Sequence, residues 1–221
     1  MRQVRTVCAG IALSLALNAV IGGAQQVCSA APKGSWKSLH RVVVLRPRVK
    51  ITKMGAFASS DSEGAAEEVE TAFQGVLSRT FENQGFTAFL DPSLMPEWEE
   101  KNTAALNALK DSYDTLSPGA CKAVLTISFT SDLEKLVDND QFDAVVLSRA
   151  NGSVIDKSSK MATLTNLKTD TSLHFSLAVV DMKSGRIVHY CYSWAYGDYI
   201  GAAASSLSEP IQKCLQNYAR H

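Results

Sequence analysis

The sequence predicts an α/β (α+β) fold: a mixed sheet of about four to six strands with helices packed on it, ending in a hairpin and a last helix. Three observations predict it. Val42, Val43, Val44 and Leu45 form an uncharged run suited to a buried strand. Apolar residues from Ala65 to Phe81 recur at three- and four-residue steps, as on one helix face. Two alternating segments flank Lys183-Ser184-Gly185, the pattern of a hairpin.

The elements follow in order. Arg2 and Arg5 precede Val7 to Ala24, a stretch without charge that ends in Gly22-Gly23-Ala24. A basic start, an apolar middle and a small-residue exit describe a signal peptide over 1–24. A second exit lies at Cys28-Ser29-Ala30. The alternative is an uncleaved membrane anchor, but the uncharged run falls short of the roughly 20 residues that span a bilayer. Cleavage removes two arginines and no acid, moving the formal charge from zero to −2. Residues 25–39 read as a flexible tether, rich in Gln, Ser and Ala with Pro32 and Gly34. A single α/β domain then occupies 40–221, a size one core can serve. Gln25, Gln26 and Val27 before Cys28 do not fit a lipid-attachment site.

Arg41 to Lys53 reads as strand, bent or ended at Pro47, which cannot donate to a ladder. Ser60 and Glu63 have capping-box spacing at the head of the first helix, and Gly85 stops it. Phe86 to Leu90 is a short strand closed by Asp91-Pro92. Residues 96–116 are helical, with Pro96 at a tolerated first position and Ser117-Pro118-Gly119 as the break. Residues 121–130 fit a strand or a helix equally, and Ser131 with Glu134 suggests a short helix over 132–138. Ala144 to Leu147 is a strand ended by Asn151-Gly152, whose Ser153 completes a glycosylation sequon read here as turn chemistry. The polar stretch 153–170 reads as an exposed loop. Ser208, Glu209 and Pro210 start the last helix.

Balanced charge excludes a strongly basic nucleic-acid binder, and 46% hydrophobic residues exclude a disordered chain. Four cysteines follow residue 24: Cys28, Cys121, Cys191 and Cys214. An exported chain meets an oxidising compartment, so disulfides are allowed. Cys191 with Cys214 is the preferred pair, joining a late strand to the last helix; buried free thiols are the alternative. No CxxC pair is present.

Catalytic signals are sparse. GxSxG, HExxH, P-loop and dinucleotide patterns are all absent, and no cofactor or metal is expected. If Asp181 pairs with Arg186, His174 lies opposite Ser193 and His189 opposite Ala178. Both then share one face about 13 Å apart, too far for one zinc ion. Two surface candidates remain. Seven basic residues run from Lys33 to Lys53 without an acid, and five acids from Asp61 to Glu70 without a base. Arg46, Arg48 and Lys50 could therefore bind an anionic partner, or the two segments neutralise each other. Tyr190, Tyr192, Trp194 and Tyr196, with Tyr199 beyond, form an aromatic stripe cross-strand from Leu173–Val179. It is either core under a helix or a binding surface.

The element order, the segment Leu177 to Val188 (LAVVDMKSGRIV) and the Asp143-Ala-Val-Val146 strand resemble a family of periplasmic α/β domains. Its members include curli-secretion-channel proteins, penicillin-binding-protein activator lipoproteins and the amino-terminal domain of TolB. The resemblance spans about residues 40–220. The export signal, the compact α/β pattern and the absence of a catalytic motif point to a periplasmic or secreted protein that works with another envelope component, most simply a protein partner. The basic segment leaves a membrane surface as a second possibility, and the net charge and compartment argue against nucleic acid. The leading expectation is thus a non-enzymatic binding or assembly factor. The competing ones are an exported hydrolase built from His174, His189, Asp181 and Asp143, and a small-ligand binder using the aromatic stripe.

Overall fold

The longest strand explains the rest of the sheet. The computed structural model describes residues 25–29, 39–54, 59–89, 95–116, 121–155, 172–196 and 202–216. The signal segment, most of the tether, Asp91-Pro92, Ser117-Pro118-Gly119, most of the 153–170 stretch, the Tyr196 ring and Tyr199 lie outside these residues.

In chain order the elements are β1 (Gln26–Ser29), β2 (Arg41–Val44), β3 (Arg48–Met54), β4 (Ser59–Asp61), α1 (Glu63–Asn83), β5 (Thr87–Phe89), α2 (Pro96–Asp114), α3 (Cys121–Leu125), α4 (Thr130–Leu133), β6 (Ala144–Ile155), β7 (Ser172–Asp181), β8 (Ile187–Tyr196) and α5 (Ala203–Leu215). The sheet runs β1-β8-β7-β6-β2-β5, with β3 also on β6 and β4 on β3. Val42–Val44 of β2 lie parallel to Ala144–Val146, and β3 lies parallel to Arg149–Ile155, so β6 serves both in turn. The break between β2 and β3 is Leu45-Arg46-Pro47, where the proline cannot donate. Strands β7, β8 and β1 add antiparallel, giving the mixed sheet that the sequence predicts.

Alternation along these strands sorts two cores. Val42, Val44, Ile51, Phe175, Leu177 and Val179 point to one face, beneath Val69, Phe73 and Leu77 of α1 and Leu207 and Ile211 of α5. Phe73 and Phe175 meet edge to face at 5.2 Å. Val43, Leu45, Val145, Leu147, Val180 and Tyr190 point to the other, beneath Leu106, Leu109 and Tyr113 of α2 and residues of α3 and α4. The ambiguous stretch is helical over Cys121–Leu125 and then leaves the helix, Ser128 forming a single antiparallel bridge to Arg186 before α4. Val124, Phe129 and Leu133 fill the second core. Asn102 is buried, yet its amide donates to the Trp98 and Val137 carbonyls and its oxygen accepts from the Val137 N–H.

Six expectations need correction. The last helix begins at Ala203 rather than at Ser208, so Pro210 lies inside α5. Residues 26–29 are a strand, not tether: β1 pairs with β8, and Cys28 is bonded to Cys121. Ser60 does not cap α1, because the β3–β4 ladder holds the chain through Asp61 and the Ser62 N–H donates to the Ile51 carbonyl. The short helix after Phe129 is Thr130–Leu133, starting two residues before and ending five residues before the expected 132–138. Asn151-Gly152 is not a turn; β6 runs through it, with Asn151 opposite His174 and Gly152 opposite Leu173. The hairpin register also shifts. Val180 faces Ile187, but Val179 faces His189, so Val188 is an extra residue. Beyond this bulge His174 faces Trp194 rather than Ser193, and His189 faces Val179 rather than Ala178. The two histidines consequently point to opposite faces, and the aromatic stripe lies across from His174, Ser176 and Ala178 rather than from Leu173–Val179.

Gly185 closes the hairpin with φ of 66°, the left-handed region. Its carbonyl accepts from the Phe129 N–H at 2.7 Å. A Cβ there would sit 2.4 Å from Thr130 Oγ1 and 2.7 Å from its Cα. Gly185→Ala is expected to cost about 2 kcal/mol or more, read as a Tm drop of roughly 5 °C. An unchanged Tm would contradict the packing of Thr130 on this turn.

Candidate functional site

Past Leu147, β6 alternates Arg149, Asn151 and Ser153 with Ala150, Gly152 and Val154. Ala150 and Val154 join the first core, so the polar set faces the other side. That is the side covered by α2 further up, but α2 ends at Asp114. The sheet continues beneath the helix end, and a cleft of about 550 Å³ opens there. Asp114, Thr115 and Leu116 form one wall; Arg149, Asn151, His174, Ser176 and Tyr192 form the floor.

Register sets the order of the floor. One row crosses the strands as Arg48, Arg149, Ser176 and Tyr192; the next runs Lys50, Asn151, His174 and Trp194. The Tyr192 and Trp194 rings meet edge to face at 4.8 Å, and Trp194 meets His174 at 5.5 Å. The Tyr192 hydroxyl lies 3.4 Å from His174 Nδ1. All three rings are half-buried.

Arg149 stands at the centre. Its guanidinium donates to the Asp114 and Leu116 carbonyls and, through Nε at 3.3 Å, to Ser176 Oγ. It thereby caps α2, satisfying carbonyls that a helix end leaves without partners. It also lies 5.5 Å above the Tyr113 ring. The Tyr113 hydroxyl donates to Ser176 Oγ at 2.9 Å, and burial pushes its pKa far up, so it remains a neutral phenol. Arg149→Leu is expected to leave the two carbonyls without this donor, costing about 1–3 kcal/mol. Amide exchange in the last turn of α2 checks this: it should accelerate while the first turn is unchanged.

The structure divides the expected site residues. Tyr190 is core, 1% exposed, whereas Tyr192 borders the cleft and Trp194, on the same face, packs its ring on Tyr192 just outside the lining. Arg46 pairs with Glu70 at 2.9 Å and Lys50 with Asp61 at 3.7 Å, so the basic and acidic segments do meet. Arg48 instead pairs with Asp114 at 2.5 Å and Asp111 at 2.7 Å on α2. Cys191 is bonded to Cys214 as expected, and Cys28 to Cys121.

The four groups of the hydrolase expectation are not brought together. His189 is buried on the first-core face, and His174 borders the cleft. Asp181 accepts the Ser184 N–H at 2.6 Å in the hairpin turn. It lies seven residues from His174 along β7, about 23 Å at strand rise. Asp143 accepts the His40 and Arg41 N–H groups, each at 2.8 Å, and the Arg41 guanidinium at 3.1 Å. Burial alone would raise its pKa, but these donors hold it below the usual carboxylate range. Among the described residues no group of three or more His, Cys, Asp or Glu is placed to hold a metal ion. No helix among them is long and apolar enough to cross a membrane.

Sequence reasoning missed Arg149, Asn151, Asp114 and Ser176. The signal for the first two was the polar–apolar alternation from Arg149 to Val154, masked by the turn-like Asn-Gly pair.

No protein-family model matches the chain, and no curated protein matches it in sequence. Solved structures do. The PelC dodecamer from Paraburkholderia phytofirmans is 13% identical with a TM-score of 0.45, covering 90% of this chain and 99% of that one. A lipoprotein from Neisseria meningitidis is 13% identical with a TM-score of 0.39, covering 79% and 99%. The LpoB C-terminal domain from Salmonella enterica is 14% identical with a TM-score of 0.31, covering 77% and 88%. A lipoprotein structure thus appears among the similar chains, as the sequence resemblance implies. At these identities and scores the likeness stops at the path of the chain.

Proposed function

We propose that this protein is an exported, non-enzymatic component of the cell envelope that binds, or helps assemble, another envelope component through the open end of its sheet. The carrying observation is the cleft beyond Asp114, where the partly exposed rings of His174 and Tyr192 share the floor with Arg149 and the Trp194 ring packs against both rings. Half-buried rings beside fixed polar groups are the usual make-up of a recognition surface. Export is supported by the basic–apolar–small pattern of residues 1–24 and by two cystines, which persist in oxidising compartments. A binding role is supported over hydrolysis by the dispersal of His174, His189, Asp143 and Asp181.

Photo-crosslinking in the intact envelope tests this. Benzoylphenylalanine replacing Trp194 should yield discrete adducts, while the same residue replacing Glu67, on the exposed side of α1, should not. Equal adducts at both positions, or none at 194, would overturn the proposal.

A further inference from the structure

We infer that the cleft takes an acidic oligosaccharide, lying across the strands with a sugar ring on Tyr192 and Trp194 and a carboxylate at Arg149. This rests on the binding role proposed above and names the ligand class for that site.

Charge points to an anion. Arg149 bonds two carbonyls and one hydroxyl, none of which carries a full charge. A guanidinium has five N–H donors, so two remain for a ligand, and among the described residues no carboxylate touches it directly. Asp114 also lines the cleft, but Arg48 holds its carboxylate at 2.5 Å. Lys50, 65% exposed at its side chain, stands one strand beyond Asn151 and pairs with Asp61 at 3.7 Å.

Shape and chemistry point to a sugar. The floor is shallow and mixed, alternating hydroxyl, amide and imidazole with aromatic faces. Amide and hydroxyl groups suit sugar hydroxyls, and ring faces suit the C–H side of a pyranose. Lys50, Asn151, His174 and Trp194 sit on adjacent strands. Strands are spaced about 4.8 Å apart, close to the repeat of a pyranose chain. Successive sugars would therefore meet successive strands, ring end at Trp194 and charged end at Lys50.

Titration calorimetry on the purified protein, both disulfides formed, tests this with trigalacturonate and with neutral cellotriose. Trigalacturonate should bind at least about tenfold more tightly, and its affinity should fall as salt rises from 50 to 300 mM, screening exposed charge. Trp194→Ala and Lys50→Glu should each weaken it about tenfold, while Trp194→Phe, which keeps a ring, should retain most of the affinity. Arg149 is left intact because it caps α2; melting curves of each variant establish that it folds. Equal binding of cellotriose, or trigalacturonate binding untouched by both Trp194→Ala and Lys50→Glu, would overturn the assignment. If neither sugar binds while position 194 still crosslinks in the envelope, the ligand class is wrong and the binding surface stands. Loss of the crosslinks removes both.

Discussion

Removing the Cys28–Cys121 bond is expected to lower the melting temperature by roughly 10–15 °C. The bond joins residues 93 apart in sequence. Closing a loop of that length restricts the unfolded chain by about 4–5 kcal/mol in the entropy model, against about 3 for the 23-residue Cys191–Cys214 loop. For a chain of this size each kcal/mol moves Tm by roughly 2–4 °C. The local structure adds to the effect. Strand β1 has four residues and, among the described residues, lies at a sheet edge and pairs only with β8. Cys28 near its C-terminal end is tied across to α3 through Cys121, and α3 in turn packs Val124 into the second core. Cys28→Ala with Cys121→Ala should therefore free β1 first, seen as fast amide exchange at Val27 and Ser29, and then lower the global transition. A Tm within about 3 °C of the parent would show that the bond is peripheral.

The second large effect is acid sensitivity set by His189. This imidazole is fully buried on β8 beside both cystines. Burial pushes its pKa down to about 3, only partly offset by the nearby backbone of Cys214 and Cys28. The unfolded chain takes up a proton near the ordinary histidine value of about 6.5. Between those limits the unfolded state holds the extra proton, so stability falls as pH falls. The contribution is complete above about 6.5 and is lost progressively toward 3. From pH 7.5 to 4.5 the loss is on the order of 2–3 kcal/mol. Asp143 and Asp132, whose pKa values lie below the usual carboxylate range, withdraw their contributions only at lower pH. Denaturant midpoints at pH 7.5 and 4.5 check this. The parent should lose several tenths of a molar in guanidinium midpoint; His189→Phe, which cannot protonate, should lose little over the same interval. Equal losses would place the acid-sensitive group elsewhere.

Much of the architecture is legible in the sequence because it depends on local periodicity. The repeat through Val69, Phe73, Val76 and Leu77 marks α1, and Pro96 marks the start of α2. Cys191 with Cys214 is legible because a late strand and a last helix must pack together. What is not legible depends on distant partners. The stretch 26–29 becomes strand only because β8 offers an open edge and Cys121 a bond. Ser60 loses its capping role to the ladder with β3. Asn151-Gly152 stays in β6 because β3 and β7 hold it from both sides. The candidate site hinges on a single residue: the bulge at Val188 reverses the faces of β8, moving Tyr192 and Trp194 from the aliphatic side to the side of Arg149 and His174. No alternation pattern reveals which residue of a hairpin is the extra one.

The central claim is that this face stays open beyond α2, with Tyr192 and Trp194 on it and Tyr190 under the helices. Hydroxyl-radical footprinting of the native protein, read by mass spectrometry residue by residue, tests it most directly. Trp194 and Tyr192 should be modified readily, while Tyr190 and Tyr113, each no more than 2% exposed, stay protected. Protection of Trp194 and Tyr192 to the level of Tyr190 would mean that the face is covered and that the cleft is core.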